Sequence, residues 1–304
     1  MYDVLIVGGG PAGLTAAVYA LRAGKTVLVI EKSGFGGQIA FSPKVENIPG
    51  TMQISGAEFA ERLTEQAMEL GADVELETVV GIQKTDGGFC LTTESDSRLE
   101  GRSVILAVGV KHRLLGLPGE EDLIGNGLSF CAVCDGAFYA GQEVAMIGGG
   151  NSALQEALLL AEVCKKVTVV QNLAFLTGEQ KLCEQLLARK NVEVLYSTVV
   201  SAYDSADGTL CGLRLRNEQT GAEQSLRVDG AFLAVGLLPE NDAFACVAPL
   251  DGQGYFDADE SCLTQTPGVF VAGDCRRKRI RQVTTAAADG AVAAVAACRY
   301  VDGL

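Results

Sequence analysis

Two Gly-rich stretches, each set between a short apolar run and a helical segment, constrain this chain more than any other feature. The first is Gly8-Gly9-Gly10-Pro11-Ala12-Gly13 and the second is Gly148-Gly149-Gly150-Asn151-Ser152-Ala153. Ahead of the first, residues 3–8 read Asp-Val-Leu-Ile-Val-Gly, the pattern of a buried parallel strand. Leu14 to Ala23 has helical composition, and Lys25 to Ile30 predicts a second strand that ends at Glu31. Together these make a βαβ unit of the expected length. The pattern returns with a predicted strand from Glu143 to Gly148, a turn through Gly150, a helix from Ser152 to Val163 and a strand from Lys166 to Val170. The two units begin about 140 residues apart, which implies two similar domains and not a short-period solenoid.

The remaining apolar runs suggest how the domains are threaded. Val104 to Gly109 predicts a strand of the first domain, and Leu114 to Gly119 reads as a hinge. Gly230 to Gly236 predicts a matching strand that closes the second domain, with Leu237 to Asn241 as the return hinge. Gly268 to Asp274 and an Ala-rich helix follow. The expected fold class is therefore α/β, with two Rossmann-like nucleotide-binding domains, the second inserted in the first. The expected boundaries are 1–113 and 244–304 for the first domain and 114–243 for the second.

Each glycine of the first turn has a separate task. Gly8 permits the tight turn, Gly10 lets the backbone approach a pyrophosphate, and Gly13 allows close packing of helix on strand. The helix N-terminus offers free N–H groups and partial positive charge to that pyrophosphate. Glu31, 18 residues after Gly13, stands where a carboxylate binds a ribose hydroxyl.

Composition narrows the setting. A chain of 304 residues can bury two full cores, and 37 glycines with 48% hydrophobic residues suit many strand-to-helix turns. A net charge of −14 argues against nucleic acid or an anionic membrane as partner. No positively charged segment precedes the first strand, so no secretory signal is expected. The apolar stretch from Ala286 to Cys298 is interrupted by Asp289 and is too short to span a bilayer. A cytoplasmic location is the expectation.

The chain has ten cysteines. Cys90, Cys164, Cys183, Cys211, Cys246, Cys262 and Cys298 stand singly and read as small buried residues kept reduced. Only Cys131-Ala-Val-Cys134, followed by Asp135, forms a close pair. A zinc knuckle would need four ligands, and the chain offers neither a second CxxC nor paired histidines. His112, the single histidine, reads as a solvated linker residue. A dithiol between two nucleotide turns suits electron transfer from a cofactor to a disulfide.

Gly8 to Gly13 with Glu31, then Gly34-Phe-Gly-Gly-Gln-Ile39, Val45-Glu-Asn-Ile-Pro-Gly50, Cys131 to Cys134, and Val269-Phe-Val-Ala-Gly-Asp274 resemble the low-molecular-weight thioredoxin reductases, in the same order and over essentially the whole chain. The resemblance implies FAD at the first turn, with Gly273 and Asp274 at its ribitol and Gln38 and Asn47 near the flavin. It places Arg281, Gln282 and Val283 over the isoalloxazine, at the start of a helix whose dipole stabilises reduced flavin. It also implies that Cys134 faces the flavin, that Cys131 attacks the disulfide of thioredoxin, that Asp135 is the general acid/base, and that the protein is a homodimer.

The second turn departs from that family. There the following strand ends in His-Arg-Arg, with another Arg a few residues on, and these hold the 2′-phosphate of NADPH. Here Val169 to Gly178 contains no Arg, Lys or His, and Phe175 and Leu176 read as packing residues. Losing two or three hydrogen bonds to a charged group costs roughly 3–6 kcal/mol, or about 10²–10⁴ in affinity. NADPH is thus a doubtful ligand, and no acid marks the strand end for NADH. The expected donor is ferredoxin, as in the ferredoxin-dependent flavin thioredoxin reductases. Five basic residues in six positions, Arg276 to Lys278, Arg279 and Arg281, offer such an acidic protein a docking patch. Three other readings stand beside this: a conventional NADPH-dependent reductase, a diflavin-type disulfide oxidoreductase, and a flavin redox sensor without rapid turnover.

Overall fold

The alternation of strand residues already decides how the first sheet is covered. In β1 (Tyr2–Val7), Val4 and Ile6 point into one apolar cluster and Leu5 and Val7 into another. Both faces are therefore dry, as a mainly parallel sheet requires. The structure is a computed structural model and describes residues 1–42 and 45–303. Leu304, which closes the expected last segment, lies outside them.

In chain order the elements of the first half are β1, α1 (Pro11–Arg22), β2 (Val27–Glu31), α2 (Gly56–Glu69), β3 (Asp73–Leu76), β4 (Val79–Thr85), β5 (Gly88–Thr93), β6 (Arg98–Leu106) and β7 (Lys111–His112). Then come β8 (Leu128–Ser129), α3 (Ala132–Asp135), β9 (Glu143–Ile147), α4 (Asn151–Val163), β10 (Lys166–Val170), α5 (Gln180–Leu187), β11 (Val192–Leu195), β12 (Thr198–Ala206), β13 (Thr209–Asn217), β14 (Glu223–Arg227) and β15 (Gly230–Leu233). The chain closes with β16 (Leu237–Leu238), β17 (Val269–Val271) and α6 (Val283–Asp302).

The chain divides into two compact units. It passes from one to the other at 111/112 and returns at 237/238, against the 113/114 and 243/244 read from the sequence. In the first unit the strand order is β3-β2-β1-β6-β5-β4, with β17 also on β6. Parallel pairing sets Val4 opposite Val27 and Ser103 opposite Val4. α1 and α6 pack on one face through small residues: Ala12, Ala16, Ala17 and Ala20 meet Ala286, Ala293, Ala294 and Ala297. A Cβ on Gly290 would lie 2.1 Å from the Ala12 carbonyl oxygen, so only glycine permits this approach.

The second unit repeats the plan. Its parallel sheet runs β11-β10-β9-β15-β8. Val144, Met146, Val167 and Val169 face α4, whereas Ala145, Ile147 and Val170 face Leu213 and Leu215 of the antiparallel β12-β13-β14 sheet. Among the described residues no helix is long and apolar enough to cross a membrane.

Both expected hinge segments are tied down. Buried Glu120 accepts the N–H groups of Leu115, Gly116 and Leu117 at 3.0, 2.7 and 3.3 Å, and the Tyr203 hydroxyl donates to it at 2.6 Å. This fixes 114–119 to the second unit. At the return segment, buried Asn241 donates to the carbonyls of Gly254 and Cys275 within the first unit.

His112 also departs from expectation, since it is no solvated linker residue. Its ring stacks on Phe130 with centroids 4.3 Å apart, and burial lowers its pKa from 6.5 to about 4. The neutral ring is the folded form, so its contribution is complete above pH 6.5 and is lost as pH falls towards 4. The difference amounts to about 3 kcal/mol. His112→Phe keeps the stack without the charge. Thermal unfolding of the two proteins from pH 7 to pH 4 is expected to show the wild type losing the more stability. A gap that stays constant across that range would contradict this account.

Candidate active site

The first turn is built by contacts closer than side chains tolerate. Gly8 has φ +109°. A Cβ on Gly13 would lie 1.9 Å from the Gly8 carbonyl oxygen. Gly10 precedes α1 as its N-cap, and Pro11 takes the first helical position, where a missing N–H costs nothing. Glu31 is buried at the end of β2 and accepts the Gly9 N–H at 2.7 Å and the Ser33 N–H at 3.0 Å. Packing within the protein therefore explains Gly8 and Gly13. It does not explain Gly10, whose Cβ would meet nothing nearer than 3.8 Å. A glycine there leaves room for a ligand against the helix N-terminus.

Further around the first unit, Gly273 and Asp274 lie in a 3-10 turn after β17. The Asp274 Oδ1 is buried with no hydrogen-bond partner among the described residues, though Lys278 lies 3.9 Å away. Burial raises the Asp274 pKa, opposed by the charges of Lys278 and Arg281. An orphaned carboxylate oxygen of this kind suits a ligand hydroxyl, so these residues fit FAD. Gln282 N-caps α6, with Val283 the first helical residue, and the Thr285 hydroxyl accepts the Gln282 N–H at 3.1 Å. Arg281 lies over the Tyr255 ring, 4.5 Å from its centroid. Gln38 is exposed on the 3-10 turn Gly37–Phe41. Asn47 is exposed and groups with the second unit.

The basic run is an open patch only in part, since Arg277 and Arg279 are exposed. Arg276 and Lys278 are buried, with side chains only 3% and 5% exposed. Both reach the buried Asp289 of α6, Arg276 at 2.8 and 2.9 Å and Lys278 at 2.9 Å. Asp289 also accepts the Gly273 N–H at 3.0 Å, which ties α6 to the turn that carries Asp274. Burial alone would raise the Asp289 pKa, but the two cations outweigh it and hold the carboxyl below its usual range. Arg277 is exposed but paired with Asp257 at 3.0 Å. The residue read as a mere interruption of an apolar helix thus anchors the site. Cys275, beside Asp274, is fully buried, with its thiol pushed up to about 12 by burial.

In the second unit, Cys131 and Cys134 form a disulfide. Cys131 is the N-cap of α3, and its Sγ accepts the Cys134 N–H at 3.2 Å. Buried Ser129, at the end of β8, donates from its hydroxyl to Asp135 at 2.6 Å and accepts the Cys131 N–H at 3.2 Å. Sheet pairing of Ser129 opposite Phe232 fixes this link, so Asp135 is coupled to the Cys131 backbone through one hydroxyl. Of the single cysteines, Cys211 and Cys246 are exposed, contrary to the expectation that all seven are buried.

The second turn keeps the geometry and changes the chemistry. Gly148 has φ +130°. Gln171 takes the place that Glu31 holds in the first unit. It is buried, its Nε2 donates to the Phe175 carbonyl at 2.9 Å, and its amide covers Gly149. The Thr177 N–H donates to the Gly149 carbonyl at 2.8 Å, and Asn151 exchanges hydrogen bonds with Glu179. No cation stands in this loop, so its residues do not fit a 2′-phosphate. Phe175, expected to pack, is 61% exposed, whereas Leu176 does pack against the core.

A sheet-and-helix nucleotide turn repeated in two units, with a redox disulfide in the second, defines a flavin- and nucleotide-linked disulfide oxidoreductase class. Residues 2–290 match the family model for pyridine nucleotide-disulphide oxidoreductases. The chain is 39% identical over 304 residues to a thioredoxin reductase of Treponema pallidum, covering all of this chain and 98% of that one. It is 36% identical to a thioredoxin reductase of Bacillus subtilis, covering 100% and 96%. The crystal structure of thioredoxin reductase from Streptococcus pyogenes superposes with a TM-score of 0.94 at 37% identity, covering 100% and 99%. The chain belongs to the pyridine nucleotide-disulphide oxidoreductase family, in its low-molecular-weight thioredoxin reductase branch.

Asp289→Asn removes the nearest counter-charge of buried Arg276 and Lys278 and leaves them only Glu260 at 3.8 Å and Asp274 at 3.9 Å. Breaking a buried pair costs about 3–5 kcal/mol, and the melting temperature is expected to fall by about 10 °C. Calorimetry of the purified protein checks this. A midpoint within about 2 °C of wild type would mean that the cluster does not hold the site together.

Proposed function

We propose that the protein is an FAD-dependent thioredoxin-disulfide reductase that works as a cytoplasmic homodimer. Two features carry the reading: a first unit in which Gly10 leaves space at the start of α1 and Asp274 has a buried oxygen free to accept, and a disulfide whose Cys131 is linked through Ser129 to Asp135. FAD would be held by Gly8, Gly10, Gly13 and Glu31 at its adenine dinucleotide half and by Gly273 and Asp274 at its ribitol. Gln38, Asn47, Arg281, Gln282 and Val283 would border the ring. When bound, FAD supplies the two electrons that reduce the disulfide.

The protein's own residues then carry the exchange. Cys131, as thiolate, attacks the disulfide of thioredoxin and forms a mixed disulfide, and the released partner thiolate takes a proton. Cys134 attacks the Cys131 sulfur, which re-forms the intramolecular disulfide and frees reduced thioredoxin. Asp135 takes and returns protons at these sulfurs.

For the electron donor, the uncharged loop from Gln171 to Gly178 supports a source other than NADPH, and ferredoxin is the first reading. Burial of Arg276 and Lys278 leaves only Arg277 and Arg279 of the basic run exposed to support docking. A specific observation favours a second reading, a nicotinamide dinucleotide at the second turn. Gly150, like Gly10, has no packing reason to be glycine, since its Cβ would come no nearer than 3.7 Å to a neighbour.

Anaerobic titration of the flavin-loaded protein with NADPH, NADH and reduced ferredoxin, followed by visible absorbance, tests the donor. Bleaching by ferredoxin and not by NADPH is expected. Rapid bleaching by NADPH at micromolar concentration would overturn that assignment. In the same assay Cys134→Ser is expected to retain FAD and lose thioredoxin reduction. Full activity in that variant would sink the dithiol mechanism.

A further inference from the structure

Glu156 was not singled out by any motif, yet its carboxyl lies against the dithiol helix. It projects from α4, and its Oε2 accepts the Ala132 N–H at 3.1 Å. Ala132 follows Cys131 and opens α3, so this N–H is one of the donors that a helix start leaves without an internal partner. The Asp135 charge also acts on Glu156.

The surroundings keep this pair of carboxyls in a poor solvent for charge. β9 and β10 face α4 with Val144, Met146, Val167 and Val169, and α5 does so with Leu186. The turn Gly136–Tyr139 brings Tyr139, whose phenol is raised by burial and then by Asp135 and so stays neutral. Cys164, just past the end of α4, has its thiol pushed up to about 11 by burial. Burial, with the Asp135 charge adding and the Ala132 N–H opposing, raises Glu156 to about 7. Near neutral pH the Glu156 carboxyl therefore retains a proton in part of the molecules.

The dithiol needs such a reserve. Reduction of the Cys131–Cys134 bond takes two protons and two electrons, which bound FAD would supply. The return exchange breaks the partner's S–S bond, re-forms the Cys131–Cys134 bond, and passes both electrons and both protons to the partner's sulfurs. We propose that Glu156 is a positioning residue for the dithiol, holding the Ala132 amide and, through Asp135, keeping a proton available to the two sulfurs. This rests on reading the chain as a dithiol reductase.

Glu156→Gln keeps an acceptor for Ala132 but cannot exchange a proton, and Glu156→Leu removes both functions. The measurement is the rate of iodoacetamide alkylation of Cys131 in the reduced full-length protein from pH 5.5 to 9, resolved by peptide mass spectrometry. Circular dichroism confirms that each variant is folded. Wild type is expected to show a step near pH 7 in addition to the ionisation of the thiol itself. In Glu156→Gln that step disappears and the thiol midpoint falls by about half a pH unit or more, because a nearby negative charge is gone. In Glu156→Leu the step is also lost, and disulfide reduction slows at every pH.

Superposable wild-type and Glu156→Gln profiles would overturn the proposal. Equal, pH-independent losses in both variants would do so too, by leaving only a structural role. Alkylation needs no thioredoxin. A protein that fails to reduce thioredoxin but shows the expected profiles would therefore refute the partner assignment and leave this inference standing.

Discussion

The site in the first unit depends on a backbone contact that admits no side chain. With a Gly13 Cβ only 1.9 Å from the Gly8 carbonyl oxygen, any other residue would lift α1 off the end of β1. That would turn the helix N-terminus away from the space beside Gly10. The same closeness recurs on the far side of α1, where Gly290 of α6 rests on the Ala12 carbonyl. α1 is thus gripped from both sides by glycines, and α6 is drawn into a position from which Asp289 reaches Gly273. Three segments far apart in sequence converge on one cradle because small residues let their backbones touch.

The two nucleotide turns share this geometry and differ in charge. At the first, Glu31 is a carboxyl held by the Gly9 amide, with its remaining acceptor capacity suited to ribose hydroxyls. At the second, Gln171 is neutral, and its amide N–H is already given to the Phe175 carbonyl. The loop beyond it folds back through Thr177 onto Gly149 without bringing a cation. A backbone plan can therefore persist while the side chains that would discriminate between ligands are exchanged. Fold and ligand choice are set by different residues, and the second changes without disturbing the first.

Much of the fold could be read directly. The glycine turns, the strand alternation of Val4 to Val7 and the acid at Glu31 are local patterns with one physical interpretation each. The pairing of Cys131 with Cys134 was equally plain. What escaped the sequence depends on partners distant in the chain. Arg276 and Lys278 looked like a surface patch because charged runs usually are solvated, and only the fold brings Asp289 beneath them. His112 looked solvated until Phe130 was placed over it. The segment 114–119 carries the Gly and Pro of a flexible linker, yet Glu120 and Tyr203 clamp it from outside the motif. Glu156 lay inside an ordinary amphipathic helix, with nothing in its spacing to mark it.

These misjudged residues have a common cause, and it bears on the chemistry. Arg276, Lys278 and Glu120 are buried at tolerable cost because another polar group meets each, whereas His112 is buried as a neutral ring against Phe130. In the first unit that rule gathers two cations on one carboxylate, which hold the Asp289 carboxyl below its usual range. Around the disulfide it yields the opposite balance, with Asp135, Glu156 and a phenol but no comparable cation acting on Glu156. Negative neighbours disfavour thiolates. On the proposed mechanism, a thiol of the reduced pair gives its proton to a nearby carboxyl before it attacks. The carboxylate in the first unit is met by cations, whereas the proposed mechanism asks the carboxyls beside the disulfide to exchange a proton.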